Sequence, residues 1–169
     1  MLLHAPRSTA TSAPTPLSLA DLTALTSEVA DEVRAGCHTV QVDRDKRWYR
    51  LVRTDAYVDV WLISWATEQY AELHDHAGSL GALTVVSGGL VEQRWAGDRL
   101  RSRRLLSGHH AGFPLGHVHD VVNPNPTPAV SVHAYSPPLS AMSYYAVDGG
   151  SLHRTGTVLV ESGSSEGVG

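Results

Sequence analysis

The stretch GHHAGFPLGHVHDVVN, residues 108–123, is the most informative in the chain. Within it Gly108, Pro114, Gly116, His119 and Asn123 follow one another at intervals of six, two, three and four. Glycine and proline so placed interrupt any helix and mark turns between short strands. His117 and His119 are two apart, so on a strand both imidazoles project from the same face. Upstream, LHDHAGS at 73–79 repeats this spacing with His74 and His76. Two same-face imidazoles are what a metal needs from adjacent ligands, but an HxH pair alone fits a solvated strand face equally well.

Outward from these histidines the chain is a series of short β-branched and aromatic runs punctuated by Gly, Asp, Asn or Pro. They are His38–Val42, Val58–Trp65, Ala82–Val86, Leu90–Arg94, Pro128–Tyr135, Ser143–Val147 and Thr157–Val160. Many short strands with few helices between them predict a mainly β domain, a sandwich or jelly-roll barrel. Ahead of them Leu19, Leu22, Leu25, Val29 and Val33 recur at helical spacing. Ser18 with Asp21 forms a capping-box signal and Gly36 a stop, which predicts a helix over 18–35. Residues 1–16 and 162–169 lack any period that would bury a face and are expected to be disordered tails around a single domain at 17–161.

The chain has 169 residues, 42% hydrophobic and 18% charged, which suits one globular core. A net charge of −4 argues against nucleic acid as a partner, and Arg99, Arg101, Arg103 and Arg104 are expected to form a solvated edge. Nothing approaches the run of roughly 18 apolar residues that a membrane span requires. One cysteine, Cys37, and no secretory pattern suggest a cytoplasmic protein, with Cys37 a small buried hydrophobe.

The intervals from Gly108 to Asn123 match the second motif of the cupin superfamily, and Gly88 falls where the first motif closes. The chain therefore resembles a cupin over most of residues 60–135, which implies a double-stranded β-helix, or jelly-roll barrel, with a short N-terminal helical segment. The resemblance selects His119 over His117 as the metal ligand beside His74 and His76. His117 is then expected behind the metal or on the surface, His109 and His110 in turns, and His38, His133 and His153 outside the metal shell. A typical cupin supplies a glutamate three or four residues after its second histidine, where this chain has Leu80 and Gly81. Three neutral imidazoles would leave a divalent ion its full charge and open positions for an anionic substrate and dioxygen.

LHDHAGS at 73–79, Trp65 nine residues upstream, and PAVSVHAYSPP at 128–138 together resemble the cysteine dioxygenase type I family, in its bacterial form, over roughly residues 47–145. That resemblance implies Fe(II) as cofactor and a relay of Ser131, His133 and Tyr135 that ends with a tyrosine hydroxyl beside the iron. It also implies an arginine on an early strand that grips the substrate carboxylate. Arg50 is the candidate, with Arg53 and Arg47 as possible replacements after a bulge. Relatives acting on mercaptopropionate carry glutamine there, so an arginine favours an amino-acid thiol. Animal members carry a cysteine crosslinked to the tyrosine; the corresponding residue here is Gly81, so no crosslink is possible.

The reaction so implied takes L-cysteine and O₂ to cysteine sulfinic acid, with no nucleic-acid or membrane partner and a monomer or weak dimer as the expected state. Alternatives are a dioxygenase of another small thiol such as 3-mercaptopropionate, a non-catalytic cupin binding a metal or small molecule, and a cupin isomerase.

Overall fold

The computed structural model describes residues 16–160. The segments expected to be tails lie, but for Pro16, outside the described residues.

Helix α1 (Leu19–Arg34) starts where the capping box predicts: the Ser18 hydroxyl accepts from the Asp21 N–H, and the Asp21 carboxylate accepts from the Ser18 N–H. It ends before Gly36, whose φ of +82° suits a residue without a side chain. Leu22, Thr26, Val29 and Ala30 form its buried stripe. Full burial of Leu22 and of Val29 contributes about 1.5–3 kcal/mol each.

Among the described residues eleven strands follow: β1 (Trp48–Thr54), β2 (Asp59–Trp65), β3 (Tyr70–Asp75), β4 (Leu80–Ser87), β5 (Gly89–Trp95), β6 (Leu100–Leu106), β7 (His110–Phe113), β8 (His119–Val122), β9 (Ala129–Ser136), β10 (Ala141–Asp148) and β11 (Ser151–Leu159). They form two antiparallel sheets, one ordered β1-β2-β9-β4-β7 and the other β11-β10-β3-β8-β5-β6. The architecture is mainly β, as the strand runs predict.

Two apolar clusters explain why some strands alternate and others do not. The first lies between the sheets and contains Trp61, Ile63, Trp65, Leu83, Phe113, Val121 and Tyr135. The second lies between α1 and the outer face of the five-stranded sheet, and contains Leu22, Val29, Val60, Leu62, Ala82, Val132 and Ala134. Because α1 covers that outer face, β2 is buried at every residue and reads as one apolar run. On β9 the same two-sided burial leaves Ser131, His133 and Tyr135 facing inward while Val132 and Ala134 face the helix.

Three expectations need correction. His38–Val42 is not a strand: the Gln41 carbonyl accepts from the Ser64 hydroxyl at 2.6 Å, and β2 pairs instead with Trp48–Thr54. Thr157–Leu159 is the end of a longer strand that opens at Ser151, and Val160 lies just past it. Cys37 is exposed, because the chain has left the helix and its N–H caps the Glu32 carbonyl. The arginine run does form an exposed edge, with Arg101, Arg103 and Arg104 on β6, and Arg103 also pairs with a buried carboxylate described below. No helix among the described residues is long and apolar enough to cross a membrane.

Candidate active site

His74 stands near the end of β3, directly across the ladder from His119, the first residue of β8. His76 lies just past β3, where a tight turn begins. The Asp75 carboxylate accepts from the Ala77 N–H at 2.9 Å and from the Tyr145 hydroxyl at 2.7 Å, while the His76 carbonyl accepts from Ser79 N–H. Held in this way the turn returns the His76 ring to the inner face, where it stacks on Phe113 with centroids 5.4 Å apart. All three histidines are buried.

Their nitrogens converge. Nε2 of His74 and Nε2 of His76 are 3.2 Å apart, and the ligand atoms of the three residues lie within 4.8 Å of one another. Two nitrogens sharing one metal at about 2.1 Å stand about 3.0–3.4 Å apart. The Nε2 of His119 is buried without a hydrogen-bond partner among the described residues, which is costly unless something else occupies that lone pair. Hydrogen bonds at Nδ1 fix the tautomers of His74 and His119. The Nδ1–H of His74 donates to the Glu72 carbonyl at 2.5 Å, and that of His119 to the Glu92 carboxylate at 3.0 Å, so each Nε2 is left as an acceptor. Burial holds all three below the usual histidine range, hence neutral and ready to ligate. The donor set fits a divalent transition metal.

Facing the triad from the other sheet is β9. Ser131 Oγ is 2.9 Å from His133 Nε2, and His133 Nδ1 is 3.3 Å from the Tyr135 hydroxyl. The Trp65 indole N–H donates to Ser131 Oγ at 2.9 Å. This last contact sets the polarity of the chain. If Ser131 accepted from both Trp65 and His133, its own proton would need another acceptor, and its only contacts among the described hydrogen bonds are Trp65 and His133. Ser131 therefore donates to His133, His133 Nδ1–H donates to Tyr135, and the phenol proton is free to point into the cavity. Burial pushes His133 down to about 3 and the Tyr135 phenol upward, so both stay neutral.

His74 and His119 of the triad and His133 and Tyr135 of the relay line one narrow cavity together with Trp65 and Arg47. Arg50 is not brought to this cavity. It lies exposed on the same pleat face as Trp48 and Val52, which pack toward the helix, and is absent from the cavity wall. Arg47 has the parity of Tyr49 and Leu51, which pack against the core between the sheets. The bulge of β1 falls between Leu51 and Arg53, beyond both residues, so it does not exchange their faces. Arg53 is turned to the helix, paired with Glu28 and Glu32. The Arg47 guanidinium carbon sits 4.7 Å over the Trp65 ring, and one terminal nitrogen donates to the Tyr70 carbonyl at 2.7 Å.

Two further residues carry the geometry. Asn123, fully buried, donates to the Trp65 and Thr127 carbonyls and accepts from Asn125, tying the end of β2 to the loop after β8. Glu92 escaped sequence reasoning, although it shares the inward parity of Leu90 on β5. Burial opposes its ionisation, but hydrogen bonds from His117, His119 and Arg103 outweigh that and hold the carboxyl well below the usual range. His117 is thus placed behind His119, and His38 is paired with Glu32, away from the cavity.

Gly81 pairs with Tyr135 across β4 and β9. A Cβ at Gly81 would lie 2.9 Å from a Phe113 ring carbon and 3.0 Å from the Tyr135 ring. Gly81→Ala is therefore expected to cost about 1–3 kcal/mol in urea unfolding and to displace the Tyr135 ring. An unchanged midpoint would show that the rings yield freely.

The buried histidines also set an acid limit. Their folded pKa values lie below the unfolded value of about 6.5, so from there down to the folded value the unfolded chain binds more protons. Metal-free protein should lose stability as pH falls through this window, reaching about 3 for His133, by about 1.4 kcal/mol per pH unit for each histidine titrating. Urea midpoints at pH 7.5 and 5 should differ accordingly; equal midpoints would contradict the buried neutral rings.

A family model described as cysteine dioxygenase type I matches residues 19–147. No curated protein matches the chain. Among solved structures, a Thermus thermophilus protein is similar at 21% identity and a TM-score of 0.53, over 59% of this chain and 90% of that one. A Klebsiella pneumoniae protein with a double-stranded β-helix domain is similar at 19% identity and 0.53, over 86% and 96%. A Bacillus halodurans protein is similar at 21% and 0.53, over 74% and 84%. These likenesses show the fold, a cupin double-stranded β-helix.

Proposed function

This chain belongs to the cysteine dioxygenase type I family, and on that premise we propose that it oxidises L-cysteine with O₂ to cysteine sulfinic acid at an Fe(II) centre held by His74, His76 and His119. The observation that carries this reading is one cavity in which two of the three clustered imidazoles, His74 and His119, meet the Arg47 guanidinium and the Tyr135 end of the relay. The reaction balances without a further reductant: both oxygen atoms end on sulfur, which loses four electrons as dioxygen gains four. Fe(II), when bound, would supply the redox chemistry and the open positions for thiolate and O₂.

The chain's own residues do the rest. Arg47, on the cavity wall, would pair with the substrate carboxylate and fix one end of the substrate, and its stacking on Trp65 limits its own motion. Tyr135 donates its phenol proton toward the reacting oxygen atoms. The neutral relay behind it keeps that proton in place, since His133 already donates to the phenol oxygen. Trp65, Ile63 and Val121 line the cavity with apolar surface, which excludes water and strengthens each polar contact.

Thiol-dependent oxygen uptake with iron-loaded protein tests the reading on cysteine, 3-mercaptopropionate and cysteamine. Cysteine should be the best substrate. Arg47→Ala should lower kcat/KM about 10–100-fold on the two carboxylates, mainly through KM, and leave cysteamine unchanged. Preference for 3-mercaptopropionate would overturn the choice of thiol, and no uptake with any thiol would favour a non-catalytic cupin.

A further inference from the structure

Glu92 is a fully buried carboxylate with no place in the ligand set, yet both of its oxygens are committed. Oε1 accepts from His119 Nδ1 at 3.0 Å and from His117 Nε2 at 2.9 Å, while Oε2 accepts from Arg103 Nε. Arg103 is its cross-strand partner on β6, and Val121, two residues beyond His119, is its partner on β8. The Phe113 ring packs against both imidazoles, 4.3 Å from His119 and 5.3 Å from His117 between centroids. His119 is thus clamped at Nδ1 with Nε2 facing the cavity.

We propose that Glu92 is the positioning residue of the metal centre, supplying through His119 the negative charge that the three-imidazole ligand set lacks. The inference rests on the reading of the triad as a metal site. An ionised carboxylate only accepts, so His119 must carry its proton on Nδ1, and the hydrogen bond raises the basicity of the ligating nitrogen. Arg103, with a side chain 43% exposed, draws part of the same charge toward the surface. Glu92, His117 and His119 do not form a second cation site of their own, because the guanidinium and two ring N–H groups already occupy the carboxylate.

The test uses full-length metal-free protein titrated with Co(II) against a competing chelator, with the visible spectrum of the bound ion as a second readout. Glu92→Gln should weaken Co(II) binding about 10–100-fold and alter that spectrum. Arg103→Gln, a substitution at a partly exposed residue, should tighten binding several-fold, a gain that a purely structural role for the pair does not produce. His117→Asn should leave affinity near wild type.

Affinities for the Glu92 and Arg103 variants equal to wild type, with His119→Ala defective, would overturn the proposal alone. Equal Co(II) binding by wild type and His119→Ala would overturn it together with the metal reading. Should Glu92→Gln fail to fold, Arg103→Gln decides: tighter binding supports the proposal, and unchanged or weaker binding rejects it.

Discussion

His119→Ala should abolish thiol-dependent oxygen uptake and weaken metal binding by about 10²–10³-fold. That figure follows from dividing the roughly 10–16 kcal/mol of a four-ligand site among its ligands. The effect should be specific, because the other two ligands come from β3 and the turn that follows it, which the substitution does not touch. The Glu92 carboxylate keeps His117 and Arg103 as partners, so no unpaired buried charge is created. Metal-free His119→Ala should therefore remain folded in thermal and urea unfolding while metal titration reveals the loss. Wild-type affinity in this variant would mean that His74, His76 and His119 are packed together for another reason.

Tyr135→Phe should lower kcat about 10²–10³-fold with metal affinity unchanged, as expected when one preorganised donor to developing charge is removed. The ring volume is retained against Gly81 and His76, so the fold has no reason to suffer. What is lost is the one donor that the relay leaves pointing into the cavity. Ser131→Ala should follow in the same direction more weakly, since it frees His133 to change tautomer while Tyr135 stays in place. Rapid-quench measurement of product in a single turnover separates this chemical step from binding. A Tyr135→Phe variant with wild-type kcat would remove the relay from the mechanism.

The intervals around His119 were legible in the sequence because turns leave glycine and proline at fixed places. Gly116 at φ +76° and Gly88 at φ +74° occupy backbone conformations that other residues seldom adopt. Strand parity puts Ser131, His133 and Tyr135 on one face, but it was the family resemblance that singled them out from an ordinary polar strand face. Arg47 was harder. Three arginines at 47, 50 and 53 offer both parities, and the choice depends on which face of β1 the helix covers, a tertiary fact. The run His38–Val42 has the composition of a strand, but β1 takes the edge of β2 that such a strand would need. Glu92 was concealed differently: a single acidic residue on a strand looks solvent-facing until its neighbours His117, His119 and Arg103 are brought from two other parts of the chain.

The most direct test of the central claim is mass analysis of the product formed by iron-loaded protein from L-cysteine under ¹⁸O₂. Cysteine sulfinic acid carrying two ¹⁸O atoms is the expected result. Product carrying one label or none, or cystine alone, would contradict dioxygenation of sulfur at this site.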